Sequence, residues 1–521
     1  MTDLTKHTNN GASAGSEAEL ETIWRRPHLL TPLIEAWKAA AIFIILGAQP
    51  GLEMMEDLSE SGGIGFIKSP VVIVLGVIGI AAILGVFFTW ISWLFTSYAL
   101  GTEAVHLKTG VLWRNRRQAR LDRLQAVDVV QPFLARLVGL ADIRIEVAGG
   151  QDSAVRIAYL KETDARALRN EILARSAGLD VEEDQAAPEA PENQVYEVPF
   201  GRLIGSLVLS GPVIGMAVAM GFMTTLAIIT KEFAIVTANI PAVFMLVSLV
   251  WQNLNRGAFF RAGTSPDGIR ITHGLLEQRR QTVPPGRVQV LEFKQPLLWR
   301  KCGWWRVEIN VAGYGESNPG QALVNVLLPV GTRDDALAAM WLVINDMGID
   351  NPHEVIDQAM VGFGTDGGFT TSPRRAFWVD PLVVKRTGYA VTPRALLIRR
   401  GRLSRRFMVV PHERTQSLEI SQGPLQRVLR VAKFAVNSTP GPVSPEVPHL
   451  DEREVVLLLK EQNERSRQAR AADRSERWMV ANQNDAATIQ DDAPAPTSEP
   501  REENAHQTEA EKPRTIDEDT P

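Results

Sequence analysis

One pattern occurs three times without a gap: Gly, Arg 13 residues on, Gln 2 further, and Gln 6 further still. The copies start at Gly110, Gly274 and Gly401 and run to Gln131, Gln295 and Gln422, with a proline one or two residues beyond each. An internal repeat constrains a chain strongly, because every copy must be the same supersecondary unit.

The surrounding residues indicate what that unit is. Before each Gly lies an alternating run, Val105-x-Leu107, Ile269-x-Ile271 or Leu396-x-Ile398, and after it a second short apolar run. Two such runs joined at a Gly predict a β-hairpin. A third strand is expected at the Arg-x-Gln: Leu121 to Val130, Val288 to Phe293, Thr415 to Ile420. Further strands are expected at Ile143 to Val147 and Trp305 to Val311, and helices at Glu162 to Ser176, Thr332 to Met347 and Asp451 to Arg467. In the third copy the run after Phe434 is Asn437-Ser-Thr-Pro-Gly-Pro-Val-Ser-Pro, which predicts a trimmed sheet.

On the hairpin Gly, the Arg-x-Gln and the Gln-Pro, the unit resembles the bacterial PH-like domain of multi-pass membrane proteins of the YdbT type, over roughly 90 to 466. The resemblance implies transmembrane pairs alternating with PH-like domains and leaves the molecular role undefined.

Four apolar spans fit that layout: Pro32 to Pro50, Val71 to Leu100, Leu203 to Thr230 and Phe233 to Leu254. About 20 apolar residues cross the hydrocarbon layer. The first span carries Glu35 and Lys38 and alternatively lies in the interface. Arg25, Arg26, Arg114, Arg116, Arg117, Arg202 and Arg256 flank the sides opposite the short loops, so both termini and all repeats are expected to be cytoplasmic.

The expected fold class is thus an α+β membrane protein: two transmembrane helical hairpins (four helices) plus three cytoplasmic PH-like β-sandwich or barrel domains, each with a C-terminal helix. The expected boundaries are a disordered N-terminus 1–31, hairpin 32–100, PH-like domain 101–177, linker 178–199, hairpin 200–256, PH-like domain 257–348, linker 349–376, PH-like domain 377–467 and a disordered acidic tail 468–521.

Charge is segregated although the total is only −5. Pro373 to Phe434 holds 14 basic and 3 acidic residues, and Ala481 to Pro521 holds 11 acidic and 3 basic. The acidic tail either folds back over the basic block or is simply solvated. Basic clusters at Arg114, Arg116 and Arg117 and at Arg399, Arg400, Arg402, Arg405 and Arg406 suit anionic head groups, each near-surface cation contributing about 1 kcal/mol. A plain positive-inside bias explains them equally. The repeated Arg123, Arg287 and Arg414 read first as structural pairs holding a turn, and alternatively as anion or partner contacts.

Little else carries chemistry. No phosphate loop, dinucleotide fingerprint or nucleophile elbow is present, and the eight histidines are scattered. His412 reads as solvated, Cys302 as an inert core or near-core thiol, and Trp299, Trp304 and Trp305 as core packing or, alternatively, as an exposed rim for a protein partner or the bilayer interface. No enzyme activity, cofactor or metal is expected. The expected function is a membrane-anchored scaffold that binds a partner protein, a second copy or anionic lipid, with nucleic acid excluded for want of interleaved aromatics. The alternative is a component of an envelope export, transport or stress-resistance system.

Overall fold

The computed structural model describes residues 24–35, 70–101, 103–111, 113–147, 155–176, 193–265, 268–283, 286–312, 325–344 and 346–473. Most of the expected N-terminus (1–31), of the expected tail (468–521) and of the 178–199 linker lies outside these residues. Where the termini are described the expected disorder is overturned, since Arg25 bridges to Tyr98 and the final helix runs on to Ala472.

Helix α1 (Pro70–Leu94) leads into repeat 1: β1 (Ser97–Leu100), β2 (Ala104–Thr109), β3 (Asn115–Arg120), β4 (Leu124–Pro132), α2 (Phe133–Leu137), β5 (Leu140–Val147), β6 (Val155–Lys161) and α3 (Glu162–Ser176). Strand β7 (Asn193–Glu197) opens repeat 2. Helices α4 (Phe200–Val208), α5 (Gly211–Thr230), α6 (Phe233–Ala238) and α7 (Ile240–Gly257) follow. The repeat resumes with β8 (Arg261–Ser265), β9 (Gly268–His273), β10 (Glu277–Val283), β11 (Val288–Gln295), α8 (Trp299–Cys302), β12 (Trp305–Val311), β13 (Val326–Gly331) and α9 (Arg333–Trp341). Helix α10 (Pro352–Met360) precedes repeat 3: β14 (Thr370–Thr371), β15 (Gly388–Val391), β16 (Ala395–Arg400), β17 (Arg405–Pro411), β18 (Ser417–Ser421), α11 (Pro424–Val428), β19 (Val431–Asn437), β20 (Glu446–Asp451) and α12 (Glu452–Ala472).

All three hairpins form, and each needs its glycine. Gly110, Gly274 and Gly401 have φ of 103°, 114° and 81°, and a Cβ there would sit 2.0, 1.9 and 2.0 Å from the carbonyl oxygen of Trp113, Glu277 and Ser404.

The repeats are not separate beads. The second sheet of each repeat continues into the first sheet of the next, giving β6-β5-β4-β10-β9-β8-β7 and β13-β12-β11-β17-β16-β15-β14. Two three-stranded sheets, β1-β2-β3 and β18-β19-β20, close the array. At the second junction Phe293 lies opposite Phe407, both fully buried and stacked with centroids 5.2 Å apart. Phe293→Ala is expected to cost about 3–5 kcal/mol. A denaturant midpoint equal to the parent's would show that the repeats hold together without this contact.

The expectation of four transmembrane helices is overturned. Among the described residues one helix, α5, is long and apolar enough to cross a membrane. Most of the first span lies outside the described residues, and within α1 the apolar stretch identified is Ile83–Leu94. The third span breaks at Leu209–Ser210, before Pro212 at the start of α5. The fourth breaks at Asn239, before Pro241, and α7 ends in polar Gln252, Asn253, Asn255 and Arg256. Proline lacks the N–H that would continue a helix, so apolar composition alone overstated these lengths. Helix α4 instead docks on repeat 2. Leu203 and Ser206 are buried, Trp299 Nε1 donates to the Ser206 carbonyl at 3.1 Å, and Arg202 pairs with Asp335 at 2.8 Å.

Four further expectations change. The 349–376 linker contains α10, whose Ile356, Ala359 and Met360 are buried. Repeat 3 keeps three strands in its second sheet, and the Pro-rich run is the β19–β20 turn. Asn310 pins that turn, donating to the Val443 carbonyl at 2.7 Å and accepting from the Val443 N–H at 3.0 Å. Cys302 is exposed, because it ends the short helix α8 on the outside of the fold. His412 is buried rather than solvated; Nε2 donates to the Thr392 carbonyl and Nδ1 accepts from Gln462, both at 2.9 Å. That arrangement uses the neutral ring, in line with burial pushing its pKa down. Trp299 and Trp305 are buried in the core and Trp304 packs against it, as core packing requires.

Candidate functional site

Side chains alternate across a strand, so each fused sheet offers two faces to two repeats. In the first fused sheet, Val127 and Val129 of β4 join the repeat 1 core beneath Leu168 and Ile172 of α3. Ile269 and Ile271 of β9 and Val283 of β10 point the other way, into the repeat 2 core. The remaining face of β8, β9 and β10 therefore lies on the α3 side with no core of its own.

Polar residues occupy it. Arg261 pairs in register with Thr272, Thr272 with Arg280, and Arg280 with Val129; Arg270 pairs with Thr282. Across the gap, α3 supplies Arg166 and Arg169, and α2 supplies Arg136. Together they line a cavity of about 810 Å³ whose wall, among the described residues, holds six arginines and no acidic residue. Glu162 and Glu197 stand behind it: Glu162 pairs with Arg166 and, at 3.5 Å, with Arg280, and Glu197 pairs with Arg261 at 3.2 Å. Arg169 donates to the Thr282 hydroxyl and to Asn170 at 3.2 Å, which fixes its guanidinium across the repeat junction.

This lining is not imposed by the fold. Counting from the hairpin Gly, the positions of Arg270, Arg280 and Thr282 hold Leu397, Phe407 and Val409 in repeat 3. All three are buried there in the same core as Ile356 and Met360 of α10. Repeat 2 thus keeps open and basic a face that the next repeat seals with apolar residues. Phe259, two residues past α7, lines the cavity and stacks on Phe200 of α4 with centroids 6.1 Å apart.

The other face of the junction carries a buried acid. Asp128 is buried, and burial pushes its carboxyl up to about 7; Arg279 opposes the rise and Glu146 adds to it. An acid whose folded pKa lies above its unfolded value of 3.8 loses stability as pH rises from about 4 to about 7. Asp128→Asn cannot ionise, so its stability relative to the parent is expected to grow across that window. Unfolding midpoints at pH 4 and pH 8 check this; an equal difference at both would count against it.

The arginines expected from sequence fall elsewhere. Arg114, Arg116, Arg117 and Arg123 are exposed on repeat 1. Arg399 is buried, where it donates to the carbonyls of Gln358 (2.8 Å) and Gly364 and lies 4.0 Å from the Phe369 ring. With Arg386, which donates to Ala359 and Met360, it satisfies the C-terminal carbonyls of α10. Arg400 pairs with Glu446, Arg405 donates to Gln295 at 3.1 Å, Arg406 pairs with Glu292 at 3.6 Å, and Arg402 is exposed. Arg414 pairs with Asp473 at 3.0 Å. The carbonyl of Arg287 receives Ala312 N–H at 2.8 Å and Gln289 at 3.3 Å. Repeat 3's basic block is thus largely spent inside the fold. None of the six cavity arginines was expected from sequence; the available signal was Arg270-x-Thr272 and Gln278-x-Arg280-x-Thr282, polar on one face of strands whose other face is buried.

Six strands in repeat 1 and seven in each of repeats 2 and 3, arranged in two sheets with a closing helix, define PH-like domains. The chain belongs to the bacterial PH domain family, which it matches over residues 43–176, 203–339 and 360–466. It is similar to the transmembrane protein YdbT of Bacillus subtilis (strain 168), 21% identical over 288 residues, which cover 48% of this chain and 57% of that protein. The chain therefore spans little more than half of that relative's length. No solved structure matches it significantly.

Proposed function

We propose that this chain is a non-catalytic, membrane-associated protein whose arginine cavity binds the phosphate of an anionic lipid headgroup at the cytoplasmic face. The carrying observation is a cavity wall of six arginines without an acid, placed beside exposed apolar helices. Guanidinium groups match phosphate oxygens in charge and geometry. Val218, Phe222, Ile228 and Ile229 of α5 and Phe244 of α7 are exposed, as lipid-facing side chains would be, and the relative's name as a transmembrane protein supports the same setting. The exposed Phe200–Phe259 pair suits the headgroup level. The fused repeats would then act as a scaffold held at the membrane surface.

The test uses the full chain in neutral detergent. Monomeric short-chain phosphatidylglycerol should raise the unfolding midpoint, phosphatidylcholine should not, and salt should weaken the effect. Glycerol phosphate alone distinguishes headgroup from free-phosphate recognition. Equal shifts with both lipids would reject the proposal.

A further inference from the structure

The two junctions within the chain are built to one register. Glu277 to Arg280 of β10 pair with Pro132 to Val129 of β4, and Arg405 to Val409 of β17 pair with Gln295 to Leu291 of β11. Counted from each hairpin Gly, the fourth residue meets the motif Gln at both: Gln278 faces Gln131, and Arg405 faces Gln295. The motif Gln therefore marks the junction.

Each end of the array presents one half of that junction. Among the described residues β3 is the terminal strand of its sheet, and it is the repeat 1 counterpart of β10 and β17. Among the described residues β18 is the terminal strand at the other end, and it is the counterpart of β4 and β11. β17 and β11 are largely buried, whereas β3 and β18 are mostly exposed. We infer that β18 of one copy pairs antiparallel with β3 of a second copy, so that copies of this chain join head to tail and extend the array.

Side chains fit this register. It sets Arg114 opposite Gln422, as Arg405 stands opposite Gln295; Arg116 opposite Ile420; and Arg117 opposite Glu419. Cationic residues do not block pairing here, since β10 pairs through Arg279 and Arg280 and β17 through Arg405 and Arg406. The arginine that clamps the second junction recurs in sequence at the free end. Arg300 of α8 donates to the hairpin-turn carbonyls of Arg402 and, at 3.0 Å, Leu403 in the next repeat. Its counterpart at the free end, Arg427 of α11, is exposed. Beside it Leu425 and Val428 are 69% and 80% exposed, and Trp113, on the hairpin it would meet, is 85% exposed. Large apolar side chains that far out of the fold suit a covered surface. Because the two patches differ, the contact is heterologous and yields rings or open chains rather than closed dimers.

The test is cross-linking in membranes, in the full chain with Cys302→Ser. Directly opposed residues of an antiparallel pair lie about 4.5–5.5 Å apart at Cα, within disulfide reach. Arg116→Cys with Ile420→Cys should give, on mild oxidation, a ladder of dimers, trimers and higher species; either substitution alone should leave monomer. Adding Leu425→Asp and Val428→Asp should lower the ladder about tenfold or more, with the monomer's unfolding midpoint retained. Monomer alone in the double variant, or single variants that cross-link as well as the double, would overturn the inference.

Discussion

Replacing Arg270 and Arg280 together by Glu is expected to abolish the stabilisation of the chain by anionic lipid. Both side chains line the cavity from neighbouring strands, and each is held in position by sheet register rather than by a loop. A charge-assisted hydrogen bond contributes about 1.5–3 kcal/mol, so losing two weakens binding about a hundredfold or more before the added repulsion is counted. Substitution on the outer surface provides the contrast. Arg116→Glu and Arg117→Glu reverse the same number of charges on exposed β3. If the cavity is the site, they should leave the thermal shift with short-chain phosphatidylglycerol nearly intact. Equal losses from both pairs would mean that diffuse charge, not the cavity, carries lipid binding. Arg169 adds a finer reading, because it reaches from α3 to Thr282 and so senses whether the junction is closed. Arg169→Leu should reduce the shift less than the double reversal while keeping its salt dependence.

The second large effect is expected from Gly274→Ala. The φ of 114° is open to glycine and strained for any other residue, and the new methyl would meet the Glu277 carbonyl oxygen at 1.9 Å. The backbone must move, at a cost of about 3 kcal/mol or more. Glu277 begins the strand that joins repeats 1 and 2, so the disturbance spreads across the junction to Pro132 and Gln131. Loss of anionic-lipid stabilisation should accompany the lower unfolding midpoint, since Gly274 also borders the cavity. Gly303→Ala makes a suitable comparison: its φ is 67°, and nothing lies within 4 Å of the added methyl. It should cost about 1 kcal/mol, the ordinary penalty of a left-handed residue. Equal effects of the two substitutions would show that φ alone, and not the carbonyl contact, makes the hairpin glycine necessary.

What could be read from sequence follows from how local each feature is. The hairpin glycines were legible because a single backbone conformation demands them, and the closing helices because each is a charged segment after the last strand, although the second stops at Trp341 rather than Met347. Trp299 at the start of α8 and Trp305 on β12 lie in the core, as expected of large aromatic side chains. The fused sheets were not legible: β4 chooses β10 across the intervening helices, and no local pattern records a partner that distant. The same separation hid the cavity, whose arginines come one or two at a time from α2, α3, β8, β9 and β10. The dense run in repeat 3 drew attention instead, yet Arg399 is buried against α10 and Arg400, Arg405, Arg406 and Arg414 are engaged by Glu446, Gln295, Glu292 and Asp473. The membrane spans misled for a related reason. Apolar composition is continuous from Leu203 to Thr230, whereas the helix is interrupted before Pro212 and its first segment serves repeat 2 rather than a bilayer.

The shared register has a consequence for how such a chain can change length. The edge that repeat 1 offers through β4 and the edge that repeat 2 offers through β11 accept their successors in the same way. Excision of one whole period would bring β4 beside β17 with the motif Gln still facing the fourth residue of the hairpin. Duplication of a period would insert a unit between surfaces already made for it. Copy number is then free to drift by unequal recombination, with no new interface to invent at either step. What such drift would disturb is chemistry rather than architecture, because the basic cavity belongs to one junction only.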